Sequence, residues 1–381
     1  MTPAANSSRS VRVVFPASTW ARIPRFNVRT ERHVLWLEGE ALVGGHARRR
    51  HLGLPWSVGS SRPAQQTPVR RATELPGGGR AIGAAKVATL EVPGASLHYE
   101  VRGSGPALLI IPGMPADAGF YAAVAGQLAG AWTVVAYDPR GMSRSRLHGP
   151  PEDQRVEVHA DDAHRVLAAA GQGPAHVLAD SISGLPGLQL AASHPEQVRT
   201  LVAFEPPLTE LLPDRERWRA FYEDLHAIYR SDGLGPALQR FAEAVGLGGE
   251  EPPQGDPDPE VTASMARMGG NVDFWLSHVI RPSFLASTPD IAALRAGPAR
   301  IVPVIGAASR PDQLAYQTTH ALAGQLGTSP VVVPGDHNAV TSRPEEFATA
   351  LRRMLDCNGS SPDRRRRRRP DHHAHPPSGS S

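Results

Sequence analysis

Two side chains have the type and setting for acyl-group chemistry: Ser181, in "HVLADSISGLPGLQL", and His337, in "VVVPGDHNAVTSRPEEF". An apolar run ends at Asp180-Ser181 and a helix rich in small residues follows, which places Ser181 on a sharp strand-to-helix turn of the kind that exposes a nucleophile. At such a turn, side chains two residues before and after would strike neighbouring backbone, so both must be small. Ala179 and Ser183 satisfy this where two glycines are usual. Asp180 fails the same test, because its corresponding neighbours are Leu178 and Ile182. Serine is a weak nucleophile until a base takes its proton, and that base must itself be held by an acid. His337 is the candidate base: it lies just beyond the last apolar run, two residues after Gly335 and ahead of the final helix.

The elements that must position these groups are legible from periodicity. "TLEV" and "SLHYEVRG" alternate as half-buried strands around "PGA", which predicts a hairpin. Six buried runs follow, "ALLIIPG", "TVVAYDP", "HVLADS", "TLVAFEP", "IVPVIGA" and "PVVVPGD", with helical patterns near 117–130, 156–171, 184–194, 313–326 and 345–356. This alternation predicts an α/β fold, a mostly parallel central sheet covered by helices on both faces. About 90 residues separate the sixth strand, "TLVAFEP", from the seventh. A connection of that length needs structure of its own, so a helical cap is expected over 208–298, above the carboxyl ends of the strands. Its Trp218, Phe221, Tyr222, Trp275, His278 and Phe284 either line an acyl pocket or form the cap's own core. Pro186 suits the first turn of the helix after Ser181, and Gly187 would let that helix approach the sheet.

Taken in order, "IIPGMP", "YDPRGMSRS", "ADSISG", "HPEQVRTLVAFEPP" and "PGDHNAVTSRPEEF" resemble five pieces of the α/β-hydrolases. These are the oxyanion turn, the Asp-x-Arg-Gly-x-Gly-x-Ser motif, the nucleophile elbow, the helix and strand after it, and the histidine loop. The resemblance covers residues 88 to 356, with the pieces in family order at family spacing. It implies an α/β-hydrolase of the serine esterase type, and the failure of Asp180 counts against a dehalogenase or epoxide hydrolase with an aspartate nucleophile. It also implies oxyanion donors at the backbone N–H groups of Met114 and Ile182. Pro112 stands where the family usually has His. Most members carry the acid in a Gly-x-x-Asp turn after the seventh strand, but "VIGAASRPD" places Ser309 there, with Asp312 three residues later where it could equally cap a helix. Other members, haloalkane dehalogenases among them, carry a carboxylate at the end of the sixth strand, the position of Glu205. An acid ending an otherwise apolar strand is costly to bury without a partner, which favours Glu205, with Asp312 the alternative. Asp138 and Arg140 read as a structural ion pair.

Charge is segregated. Residues 1–86 carry 14 Arg or Lys against 4 acids and residues 357–381 carry 6 Arg against 2 Asp, so the total of +3 leaves 87–356 at −11. Three regions are expected: a basic, disordered N-terminal extension over 1–86, the α/β domain over 87–356, and a disordered tail over 357–381. Cys357 is the only cysteine, which excludes an internal disulfide framework, and no run approaches the ~18 apolar residues of a membrane span. A cytoplasmic protein is expected. The six arginines of the tail could attract nucleic acid, but a solvated tail is the plainer reading. His372, His373 and His375 have no partner ligands nearby, so neither metal nor cofactor is expected. The expected function is a serine hydrolase that cleaves an ester, thioester or lactone of a small-molecule acyl substrate through an acyl-enzyme. The alternative is a binding or scaffolding protein with a decayed site, marked by Ala179, Ser183, Pro112 and Ser309.

Overall fold

The computed structural model describes residues 26–30, 33–37, 85–171, 173–247 and 258–356, which fall in two units. In the smaller unit, Ala21–Ile82, β1 (Phe26–Thr30) pairs antiparallel with β2 (His33–Leu37). The rest of the expected N-terminal extension, and the whole tail with its arginines and histidines, lie outside the described residues.

In the larger unit the hairpin forms as expected. β3 (Lys86–Val92) and β4 (Ala95–Arg102) are antiparallel about a turn at Pro93-Gly94. β5 (Ala107–Ile111), α1 (Ala122–Leu128), β6 (Thr133–Tyr137), the two-residue β7 (Arg146–Leu147), α2 (Val156–Ala169), β8 (Ala175–Asp180), α3 (Gly184–Ser193) and β9 (Val198–Phe204) follow. Next come α4 (Arg215–Asp232), α5 (Leu234–Val245), α6 (Pro259–Phe274), α7 (Pro282–Leu285) and α8 (Ile291–Ala296), with a wide helical turn over Trp275–Val279. β10 (Arg300–Gly306), α9 (Leu314–Leu326), β11 (Val331–Val333), α10 (Ala339–Ser342) and α11 (Pro344–Asp356) complete the unit.

The sheet order is β11-β10-β9-β8-β5-β6-β4-β3, with β7 beside β4; the strands from β11 to β6 are all parallel. Parallel strands align their carboxyl ends along one edge, where ligands of open α/β sheets bind. Alternation along each strand feeds two cores: Leu109, Ile111 and Val177 face one helical layer, and Leu108, Ile110 and Val304 the other. One buried run departs from expectation. "PVVVP" forms the outermost strand, so Val332 is 62% exposed. No helix among the described residues is long and apolar enough to cross a membrane.

Gly187 lies where α3 crosses the sheet. A β-carbon there would stand 2.6 Å from the Ala179 methyl, so only glycine permits this approach. Replacing Gly187 with Ala should therefore destabilise the protein by about 1–3 kcal/mol. Gly269, exposed on α6 with nothing near its missing side chain, should instead gain about 0.5–1 kcal/mol as Ala. Urea titration of the two variants checks both signs.

Candidate active site

Four strand ends meet at the carboxyl edge. β8 leads directly into Ser181, whose φ of 51° is strained for a residue with a β-carbon. Ala179 and Ser183 are buried on either side, and Ser183 Oγ donates 2.6 Å to the carbonyl of Pro112. The serine found where glycine is usual thus ties the turn after β8 to the turn after β5. β9 ends at Glu205, itself at φ 48° and only 1% exposed. The loop after β11 brings in His337.

These three residues form a hydrogen-bonded row. His337 Nε2 lies 3.1 Å from Ser181 Oγ, and Nδ1 lies 2.7 Å from Glu205 Oε2. The other carboxylate oxygen of Glu205 accepts from the Gly306 N–H at 2.9 Å and from the Ser309 hydroxyl. Ser309, which occupies the usual position of the acid, therefore binds an acid supplied by the neighbouring strand. Asp312 points away from this row: it is 72% exposed, pairs with Arg310 at 3.3 Å, and does not cap α9, whose N-cap is Gln313.

Electrostatics follow from the pairing. Burial disfavours the Glu205 carboxylate, but the His337 hydrogen bond and charge, with the Ser309 and Gly306 donors, outweigh it and lower its pKa. Burial likewise pushes His337 down, yet the hydrogen bond and charge of Glu205, with Asp180 behind them, raise it to about 9.

The turn carrying Met114 is held by residues that sequence reasoning passed over. Gly113 N–H donates 2.8 Å to Tyr121 Oη, and the Tyr121 hydroxyl donates to Asp180 Oδ2. Asn271 of α6 donates 2.8 Å to the carbonyl of Pro115 and accepts from Ser143 N–H at 2.7 Å. Arg267, one turn earlier, donates 2.5 Å to the buried Asp117. No local signal marks Tyr121 or Asn271, because each acts across a long sequence separation.

One expectation needs correction. Asp138 and Arg140 do not pair with each other: Arg140 reaches Asp162 on α2 at 2.6 and 2.7 Å, while Asp138 takes Arg144 at 2.8 Å and the N–H groups of Ala118 and Arg144. The turn between them sends Arg140 to α2 and Asp138 to Arg144 in the loop before β7. The aromatic residues of 208–298, open in the sequence between pocket and core, fall on both sides. Tyr222 and Trp275 line the cavity beside Ser181, whereas Trp218 and Phe221 stack on Tyr222, His278 packs on Phe274, and Phe284 meets His159. Among the described residues no cluster of His, Cys, Asp or Glu could hold a metal ion.

A Ser-His-carboxylate row at the carboxyl edge of a mostly parallel sheet defines the class of fold. A family model described as the alpha/beta hydrolase fold matches residues 106–244. The Bacillus subtilis (strain 168) protein named uncharacterized hydrolase YraK is 38% identical over 275 residues, 70% of this chain and 95% of that protein. The chain belongs to the α/β-hydrolase family. Among solved structures, a thermophilic esterase from Thermogutta terrifontis (malate bound) is similar with a TM-score of 0.54 at 18% identity, covering 72% of this chain and 99% of that one. The enol-lactonase from Burkholderia xenovorans LB400 is similar with a TM-score of 0.52 at 16% identity, covering 71% and 100%. At these identities the two structures share the fold alone with this chain.

The Glu205 contact predicts a displaced titration. In histidine-resolved NMR, His337 should titrate well above the 6.5 of a free imidazole, and Glu205→Gln should bring it back down.

Proposed function

We propose that the protein is a serine hydrolase of carboxylic esters, thioesters or lactones, acting through an acyl-enzyme. One observation carries this reading: the continuous hydrogen-bonded row Ser181 Oγ, His337 and Glu205, with each distance within hydrogen-bond reach. His337 takes the Ser181 proton as Oγ attacks the substrate carbonyl, and the oxygen that becomes negative is met by the N–H groups of Met114 and Ile182. The tetrahedral species collapses with breakage of the acyl–oxygen or acyl–sulfur bond, and His337 returns the proton to the departing alcohol or thiol. Water then repeats the cycle: His337 accepts its proton, hydroxide adds to the acyl carbon, and Ser181 leaves as the alcohol. Neither metal nor cofactor is needed for these steps. Glu205 is the orienting acid, since a carboxylate at this point selects the tautomer with Nε2 facing Ser181 and stabilises the imidazolium.

The binding-protein reading predicts an unreactive Ser181. Treatment with a fluorophosphonate should label Ser181 in the wild-type protein and leave Ser181→Ala unlabelled; an unlabelled wild type would sink the enzyme reading. With an activated ester, Glu205→Gln should lower kcat by at least about a hundredfold. Asp312→Asn should stay within about twofold, as expected for an exposed surface carboxylate. The kcat/KM of the wild type should rise with pH through the ionisation of His337, because only the neutral imidazole accepts a proton.

A further inference from the structure

The cavity beside Ser181 has a volume of about 320 Å³, and among the described residues no Lys or Arg lines it. Its walls are mainly apolar, with Phe120, Tyr222, Phe241, Trp275, Leu285 and Leu314 prominent. Among the described residues four titratable side chains line it: Glu205, His337, Asp180 and Tyr222, whose hydroxyl burial keeps neutral. Glu205 and His337 neutralise each other when the imidazole is protonated. Asp180 has no such partner. Its Oδ2 is held by the neutral Tyr121 hydroxyl, and its Oδ1 is buried with no hydrogen-bond partner among the described residues.

We infer that this site selects substrates whose acyl group is uncharged, and that Asp180 is the residue that turns away anionic ones. The inference rests on the serine-hydrolase reading and specifies its substrate class. A carboxylate on the acyl chain would exchange its hydration for apolar walls without gaining a cation, and would meet the field of Asp180 through a medium that screens poorly. Burial raises the Asp180 pKa to about 6, against the lowering effects of His337 and Tyr121, so the group is ionised at pH 8. A cationic acyl group is drawn by the same field, but it too gives up its hydration to apolar walls and finds no contact ion in return. Asp180 Oδ1 has no exposed surface to touch an ammonium, and the rest of the lining has no carboxylate left unpaired.

Three chromogenic esters with six-atom acyl chains test this at pH 8: 4-nitrophenyl hexanoate, the 4-nitrophenyl half-ester of adipate, and 4-nitrophenyl 4-(trimethylammonio)butanoate. After subtraction of the uncatalysed rates, kcat/KM for the hexanoate should exceed that for the adipate half-ester by at least about a hundredfold. It should also exceed that for the cationic ester. Asp180→Asn, which removes the charge and keeps an acceptor for Tyr121, should shrink the neutral-over-anionic ratio by about tenfold. A wild-type protein that labels with fluorophosphonate yet hydrolyses either charged ester as well as the neutral one overturns this inference while leaving the serine-hydrolase reading intact. A protein that does not label fails the earlier reading instead. Charge selection is then read without turnover, by calorimetry of Ser181→Ala with methyl hexanoate and monomethyl adipate. Tighter binding of methyl hexanoate supports the inference, and equal or tighter binding of the adipate overturns it.

Discussion

The structure is organised around a carboxylate that water barely reaches. Glu205 ends an apolar strand at φ 48° and is 1% exposed, and an unpaired charge so placed would cost several kcal/mol. Its oxygens are therefore matched from three directions: His337 from the loop after β11, the Gly306 N–H from the end of β10, and the Ser309 hydroxyl from the turn beyond. That convergence requires β10 and the histidine loop to approach closely. A β-carbon on Gly306 would stand 2.6 Å from the carbonyl oxygen of Gly335, so glycine is needed there. The position of His337, and through it the ring nitrogen facing Ser181, follows from satisfying Glu205.

A second set of constraints holds the turn opposite. Where the family's usual histidine gives way to Pro112, the backbone is fixed by Ser183 Oγ on the Pro112 carbonyl and by Tyr121, which accepts from Gly113 and donates to Asp180. The strand-to-helix turn after β8 and the turn after β5 are thus braced against each other by two bridges. Asn271 and Arg267 extend the brace to α6, whose Glu260 also pairs with Arg102 of β4. This helix is fastened to the sheet domain at several points along its length. α6, which contributes Met268 to the cavity lining, is therefore tied to the turn beside Ser181.

These contacts also set the cavity's charge. Because Tyr121 holds Asp180 through a neutral hydroxyl, the carboxylate is retained beside Ser181 without a counter-ion. The residue that braces the turn after β5 consequently leaves an unbalanced negative charge in an apolar enclosure, and the proposed selectivity against anions follows from the same hydrogen bond that provides rigidity.

Much of this could be read from local pattern. Apolar runs with period-two or continuous burial predicted the strands, and 3.6-residue spacing predicted the helices, because a side chain's burial follows directly from its face. The small residues around Ser181 and the apolar strand ending at Glu205 singled out positions that the fold brings into one hydrogen-bonded row, since steric volume and the cost of a buried charge are properties of the residue types themselves. Tertiary structure decided what depends on distant partners. Asp138 and Arg140, two residues apart, bond to different elements, and "PVVVP" became an exposed edge because nothing pairs beyond it. Ser309, which looked like a lost acid, supports Glu205 across a separation of 104 residues. Tyr121 carries no signature of its role, because a hydrogen bond to Asp180, 59 residues away, exists only once β5 and β8 lie side by side.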